Sequence, residues 1–177
     1  DGKIFFRKSY GKTTYEDSAE QITNAHLYDI ASVTKIASSA LALMKLVSEK
    51  KLDVKKTLEH YLPELKHTNK GKLVIEDILT HQSGLLPFIP FYEKALKAEK
   101  QGIKVFQQDS SAEYSVKVAD NLWMKKEWKD TLWNDIVKSP LKDAGKYVYS
   151  DLGYYFVQRI VEKLTGQSLE KYVEEQF

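Results

Sequence analysis

The sequence predicts an α+β fold in which helices dominate. Strand signals occupy the first ~15 residues. From Ile36 to Val47 nine of twelve residues are apolar, which on a helix leaves almost no polar face and predicts burial. Beyond that point apolar residues recur mainly at helical spacing, punctuated by glycine and proline.

Taken in order, Asp1-Gly2 is a hairpin-turn signal, and Lys3 to Tyr10 reads as a strand with Ile4, Phe5 and Phe6 apolar. The strand that should lead into that turn is missing, so the chain is expected to begin inside a hairpin. The buried helix runs from Ser32 to about Lys51. Leu58 to Leu65 is a helical stretch interrupted by Pro63, and Ile75 to Thr80 a short helix closed off by Gly84 and Pro87. Phe88 to Ser111 is a weakly patterned insertion with a lysine-rich helical stretch, and Ser115 to Val118 alternates like a short extended segment. Lys125 to Val137 places Trp128, Leu132 and Ile136 at helical spacing before Pro140. Asp151 stands before a helix from Leu152 to Leu164 with Gly166 as its C-cap glycine, and Ser168 can cap a last helix toward Phe177. No internal repeat or linker separates two folded domains.

At 177 residues, 42% hydrophobic and 29% charged, the chain has the composition of a globular domain with one sizeable core. A net charge of +2 is too small and dispersed to argue for nucleic acid or a membrane surface, and Lys94 to Lys104 reads as a solvated face. No apolar stretch approaches the ~20 residues of a membrane span. Without cysteine there is no disulfide or thiolate nucleophile, and His26, His60, His67 and His81 lack metal-ligand spacing, so no metal and no cofactor is expected. Trp123, Trp128 and Trp133 could line a groove, although core packing is the commoner use of such spacing.

Chemistry concentrates at one place. Ser-x-x-Lys occurs five times, at Ser9/Lys12, Ser32/Lys35, Ser48/Lys51, Ser139/Lys142 and Ser168/Lys171, and alone it reads as a cap serine with a solvated lysine. Only Ser32/Lys35 opens the apolar helix. There the two side chains share a helix face, burial would lower the lysine toward a usable base, and the helix N-terminus offers unpaired N–H groups to a developing anion.

The stretch Tyr28-Asp29-Ile30-Ala31-Ser32-Val33-Thr34-Lys35 resembles the first active-site motif of the serine β-lactamase and penicillin-binding-protein superfamily, in the branch of class C β-lactamases, D-amino-acid peptidases and related esterases. Leu52-Asp53-Val54 and Tyr61-Leu62-Pro63-Glu64-Leu65 follow in the family's order. Ile75 to Leu85, containing Thr80-His81-Gln82-Ser83-Gly84-Leu85, resembles its "LLTHTSGL" segment, and Tyr149-Ser150-Asp151 its Tyr-x-Asn motif. Ile89-Pro90-Phe91-Tyr92 and the insertion after it are similar to β-lactamase-like domains that follow a family-three glycoside hydrolase domain in Bacteroidetes proteins.

The resemblance implies a β-lactamase/transpeptidase-like fold, this chain being mainly its helical lobe with an N-terminal strand. It implies Ser32 as nucleophile, Lys35 as proton acceptor or electrostatic partner, and Tyr149 as a second acid/base whose phenol needs a nearby positive charge. Asp151 replaces the family's Asn: an ionised Asp only accepts hydrogen bonds, which disfavours β-lactam hydrolysis more than ester or peptide chemistry. Asp151 reads equally as a helix N-cap or a substrate-binding residue. His81 reads as a turn residue with its ring bonded to backbone. The family's third motif, a Lys/His-x-Gly triplet on a later strand, is not matched by Lys163-Leu164-Thr165-Gly166, so residues 1–177 are expected to be a partial serine hydrolase domain, inactive alone. The implied activity is acyl-enzyme hydrolysis of a small peptide, amide or ester, plausibly cell-wall derived, in the periplasm or at the cell surface, with a fused glycosidase domain outside this chain as a neighbour. The competing reading is a non-catalytic module that binds a cell-wall fragment or packs against a neighbouring domain.

Overall fold

The computed structural model describes residues 2–177 and divides into two compact units, one ending at Thr34 and one spanning Lys35–Phe177. The turn expected at Asp1-Gly2 involves Asp1, which lies outside the described residues.

In the first unit the strand expected over Lys3 to Tyr10 carries no ladder pairing. Ile4, Phe5 and Phe6 are all exposed. The only backbone bridge described in this unit joins Lys12 to Gln21, flanked by Thr13 N–H donating to Glu20 O at 2.9 Å and Ile22 N–H to Gly11 O at 3.0 Å. The physical reason is that a strand is a property of a pair: apolar β-formers without an adjacent segment to exchange hydrogen bonds remain unlatticed. Side chains tie the segment down instead, Arg7 donating to Asn24 O at 3.0 Å and Ser9 Oγ to Asn24 Oδ1 at 2.6 Å.

The second unit is helical in the order expected. It opens with a π-helical stretch, Lys35–Ala40, that tightens into α1 (Leu41–Ser48). Widened turns of this kind are rare and recur at functional sites. Next come α2 (Leu58–Tyr61), a 3₁₀ turn (Pro63–Leu65) and α3 (Ile75–Leu79). After α4 (Phe91–Lys100), the short strands β1 (Phe106–Gln107), β2 (Val116–Ala119) and β3 (Leu122–Met124) form an antiparallel sheet in the order β1-β3-β2. Then follow α5 (Trp128–Lys138), α6 (Leu152–Thr165) and α7 (Leu169–Gln176).

One core gathers Leu43 and Leu46 of α1, Leu58, Ile75 and Ile78, and the Phe156, Val157, Ile160, Val161 face of α6. Each such side chain contributes roughly 1.5–3 kcal/mol when fully buried. A smaller cluster of Ala95, Ala98, Val105 and Met124 holds the inserted lobe of α4 and the sheet together. Glu99 stitches that lobe by accepting from Val105 N–H at 2.5 Å and Phe106 N–H at 2.9 Å, and these backbone bonds hold its carboxyl below the usual range. Lys70 is wholly buried without a carboxylate; its amine donates to Asn69 Oδ1 at 2.9 Å and to Ser139 O, and burial pushes it down to about 8.

Burial of the α1 region is one-sided, less than its apolar run predicts. Ala42, Leu43 and Leu46 are inside, whereas Ile36 and Met44 are 64% and 66% exposed and Val47 is 41% exposed. An apolar helix needs packing elements on every side, and in this unit α6 and α7 cover only one face.

Candidate active site

Ser32 lies in a turn at the end of the first unit, exposed, between Val33 N–H donating to Ile30 O at 3.0 Å and Thr34 N–H donating to Ala31 O at 3.1 Å. Ala31, immediately before it, is left-handed at φ 44°. That conformation costs a non-glycine residue roughly 1–2 kcal/mol and is held here by Asp29 Oδ1, which accepts the Ala31 N–H at 2.7 Å.

The second unit brings together Lys35, Tyr149 and Asp151. Lys35 sits at the start of the π-helical stretch with its side chain only 16% exposed, and its Nζ donates to Asp151 Oδ1 at 2.6 Å. Tyr149 also hydrogen-bonds the ammonium. The cation lies 5.1 Å from the Tyr149 ring centroid and 5.4 Å from that of Tyr154, a placement that favours positive charge. Burial works to lower Lys35, but the bonds to Asp151 and Tyr149 with their charges outweigh it and hold the amine above its ordinary value. The expected lowering of the lysine is thereby corrected: Asp151 and Tyr149 favour its ammonium form.

Asp151 occupies the N-cap position of α6, yet its side chain makes no cap bond. Ser150 takes that role, its Oγ accepting from Leu152 N–H at 3.2 Å while donating to Leu86 O at 2.6 Å. The carboxylate is thus left to Lys35. Ser150 was not singled out by sequence reasoning, although a serine two residues before an amphipathic helix is a capping signal.

The Tyr149–Asp151 segment is fixed by the Thr80–Leu85 segment and its continuation. Ser150 N–H donates to His81 Nδ1 at 3.1 Å, Val148 N–H to His81 O at 2.8 Å and Asp151 N–H to Pro87 O at 2.8 Å. Lys142 N–H donates to Gly84 O at 2.7 Å and Gly145 N–H to Gln82 O at 2.8 Å. His81 is therefore the turn residue expected, at φ 58°, with its ring 4.5 Å from that of Tyr149. Burial, then the charge of Lys35, push its imidazole below the ordinary value, which keeps Nδ1 available as an acceptor. Glycine is required at Gly84, where φ is +78° and an added Cβ would meet Lys142 O at 2.4 Å.

Among the described residues no group of three or more His, Cys, Asp or Glu gathers as a metal site, and no helix is long and apolar enough to cross a membrane. Trp133 is partly buried and packs its ring 5.2 Å from that of Phe156 at the edge of the core.

The profile of the family described as beta-lactamase matches residues 1–177. The chain is 33% identical over 192 residues to an N-acetylmuramyl-L-alanine amidase of Bacillus subtilis (strain 168), covering 99% of this chain and 38% of the relative. Among solved structures it resembles the octameric penicillin-binding protein homologue from Pyrococcus abyssi, with TM-score 0.55, 26% identity, and coverage of 85% of this chain and 30% of that one. It also resembles a class C beta lactamase from Rhodobacter sphaeroides, with TM-score 0.55 over 91% of this chain and 36% of that one, where 18% identity shows the fold alone. The chain spans about two fifths of the length of the amidase relative.

Proposed function

The chain belongs to the beta-lactamase family, and from that premise we propose that it is the part of a serine hydrolase that forms an acyl-enzyme through Ser32 on a peptide, amide or ester of cell-wall type. The observation that carries the proposal is the meeting of Lys35 with Tyr149 and Asp151, the last of them 116 positions later, in one hydrogen-bonded cluster. A protonated lysine beside a tyrosine is chemically useful. The ammonium favours a phenolate that can take the Ser32 proton as Oγ attacks the carbonyl carbon, and the same phenol can return that proton to the departing amine or alkoxide. Water then cleaves the ester at Ser32, regenerating the hydroxyl and releasing the acid.

The Bacillus relative being an N-acetylmuramyl-L-alanine amidase supports a peptide or amide substrate. An export location, periplasmic or at the cell surface, follows from a cell-wall substrate and belongs to the same proposal. So does the fused glycosidase neighbour. One observation favours a second reading, a non-catalytic module: Asp151 fills the hydrogen-bonding position on Lys35 that a free base would keep open.

Labelling with a fluorophosphonate or penicillin probe followed by peptide mapping separates the two. The hydrolase predicts a mark on Ser32 that disappears in Ser32→Ala and falls by orders of magnitude in Lys35→Ala, both variants keeping their fold. Undiminished labelling of Ser32→Ala moves the nucleophile elsewhere, and no labelling of the intact protein leaves the binding module.

A further inference from the structure

A concavity opens where the inserted lobe meets α5 and α6. Its volume is about 420 Å³, within the ~300–1,000 Å³ range of small-molecule sites. The wall is apolar and largely aromatic: Leu132, Trp133 and Ile136 come from α5, Tyr155 from α6, and Phe91 and Met124 from the lobe. Phe91 and Tyr155 meet edge to face with centroids 6.0 Å apart, so the slot is built by residues from separate elements rather than by one loop.

The rim is charged, and the charge is uneven. Lys129 and Arg159 stand against Glu162, which already accepts a hydrogen bond from Gln158 at 2.9 Å. Among the described residues neither Lys129 nor Arg159 forms an ion pair with a carboxylate. The Arg159 guanidinium carbon lies over the Trp133 ring, 4.2 Å from its centroid. A cation–ring contact does not consume the guanidinium's N–H donors, and a guanidinium can receive a carboxylate through two parallel hydrogen bonds.

We propose that this cavity binds an amphipathic monocarboxylate, an aryl or short alkyl group seated against Trp133 and Tyr155 with its carboxylate on Arg159. Two cations against one anion leave a single net positive charge at the rim, which matches a monoanion and not a phosphate or a polyanion. The aromatic side chains of Phe91, Trp133 and Tyr155 in the lining select the hydrocarbon part. The site is independent of acylation at Ser32.

Isothermal titration calorimetry of the intact protein with 4-phenylbutyrate and its neutral isostere 4-phenylbutanamide tests the proposal. The acid is expected to bind one to one, at least about tenfold tighter than the amide. Arg159→Gln should abolish that preference, and Leu132→Trp, which fills the cavity, should weaken both ligands. Ser32→Ala should leave the acid's affinity unchanged, so that failure here is distinguishable from failure of the hydrolase reading. Equal affinity for acid and amide in the unsubstituted protein overturns the proposal, as does an acid preference that survives in a cooperatively melting Arg159→Gln. Loss of binding in Ser32→Ala would place the ligand at the other site and overturn it as well. Should Arg159→Gln fail to fold, the acid–amide comparison on the unsubstituted protein decides alone.

Discussion

Lys35 Nζ and Asp151 Oδ1 stand 2.6 Å apart, an ion pair whose lysine is mostly buried and whose aspartate is half open to solvent. The pair helps hold the proton on the lysine and leaves the capping of the helix to Ser150 rather than to the aspartate. Both follow from one substitution, an Asp where the resembled family has Asn. An Asn would offer its carbonyl to the ammonium without a negative charge, and the helix end would still be capped by Ser150.

Asp151→Asn is therefore expected to leave the fold intact and make the Lys35 amine titrate about 1–3 pH units lower, the usual influence of an opposite charge at this distance. Heteronuclear NMR of the lysine side-chain nitrogen reads the change directly. The same variant should raise the specificity constant for a chromogenic cephalosporin relative to a nitrophenyl ester. An unaltered titration would mean that Tyr149 and the surrounding rings, rather than Asp151, hold the proton on Lys35.

Much of this site could be read from the sequence because its parts lie in short local motifs. Lys35, Tyr149 and Asp151, which meet in one hydrogen-bonded cluster, lie in segments singled out by their resemblance to the family's motifs, and Gly166 and Ser168 were read by capping chemistry: Gly166 adopts φ 71° at the end of α6, and Ser168 accepts from Lys171 N–H at the start of α7. What was missed depends on partners far along the chain. Whether Asp151 caps its own helix or pairs with Lys35 is decided by a contact across 116 positions that no local pattern encodes. The two-residue strand β1 exists because Phe106 pairs with Met124, not because its own propensity demands it. Which face of the α1 region is buried likewise depends on where α6 and α7 pack.

His81 gives a pH dependence of definite sign. Its Nδ1 accepts the Ser150 N–H, and its folded value is lowered below 6.5, so the unfolded chain takes up a proton before the folded protein does. Stability should be unaffected by this group above about pH 6.5. As pH falls from there through the lowered folded value it should decline, levelling off once both states are protonated. His81→Asn keeps an acceptor near the Nδ1 position and tolerates the left-handed backbone, so its melting temperature should lose this acid-side decline. His81→Leu leaves the Ser150 N–H without its partner and should destabilise by about 1–3 kcal/mol at every pH. A decline that persists unchanged in His81→Asn would assign the dependence to another group.

Gly84 and Gly102 form a matched pair for the last prediction, because both are left-handed, at φ +78° and +80°, but only one is crowded. At Gly102 an added Cβ meets nothing within 4 Å, so Gly102→Ala carries only the backbone cost of roughly 1–2 kcal/mol. At Gly84 the same carbon would stand 2.4 Å from Lys142 O and 3.3 Å from its carbonyl carbon. Backbone must then shift, pulling apart the Lys142 to Gly84 bond that helps align the Tyr149–Asp151 segment with Lys35. Gly84→Ala should accordingly cost more than Gly102→Ala by about 2 kcal/mol or more in urea unfolding, within the range that strain and a broken buried hydrogen bond produce together. It should also lower the Lys35 titration in the direction of Asp151→Asn, whereas Gly102→Ala should not. Equal destabilisation by the two variants would mean that the Gly84–Lys142 contact yields without strain and does not position the site.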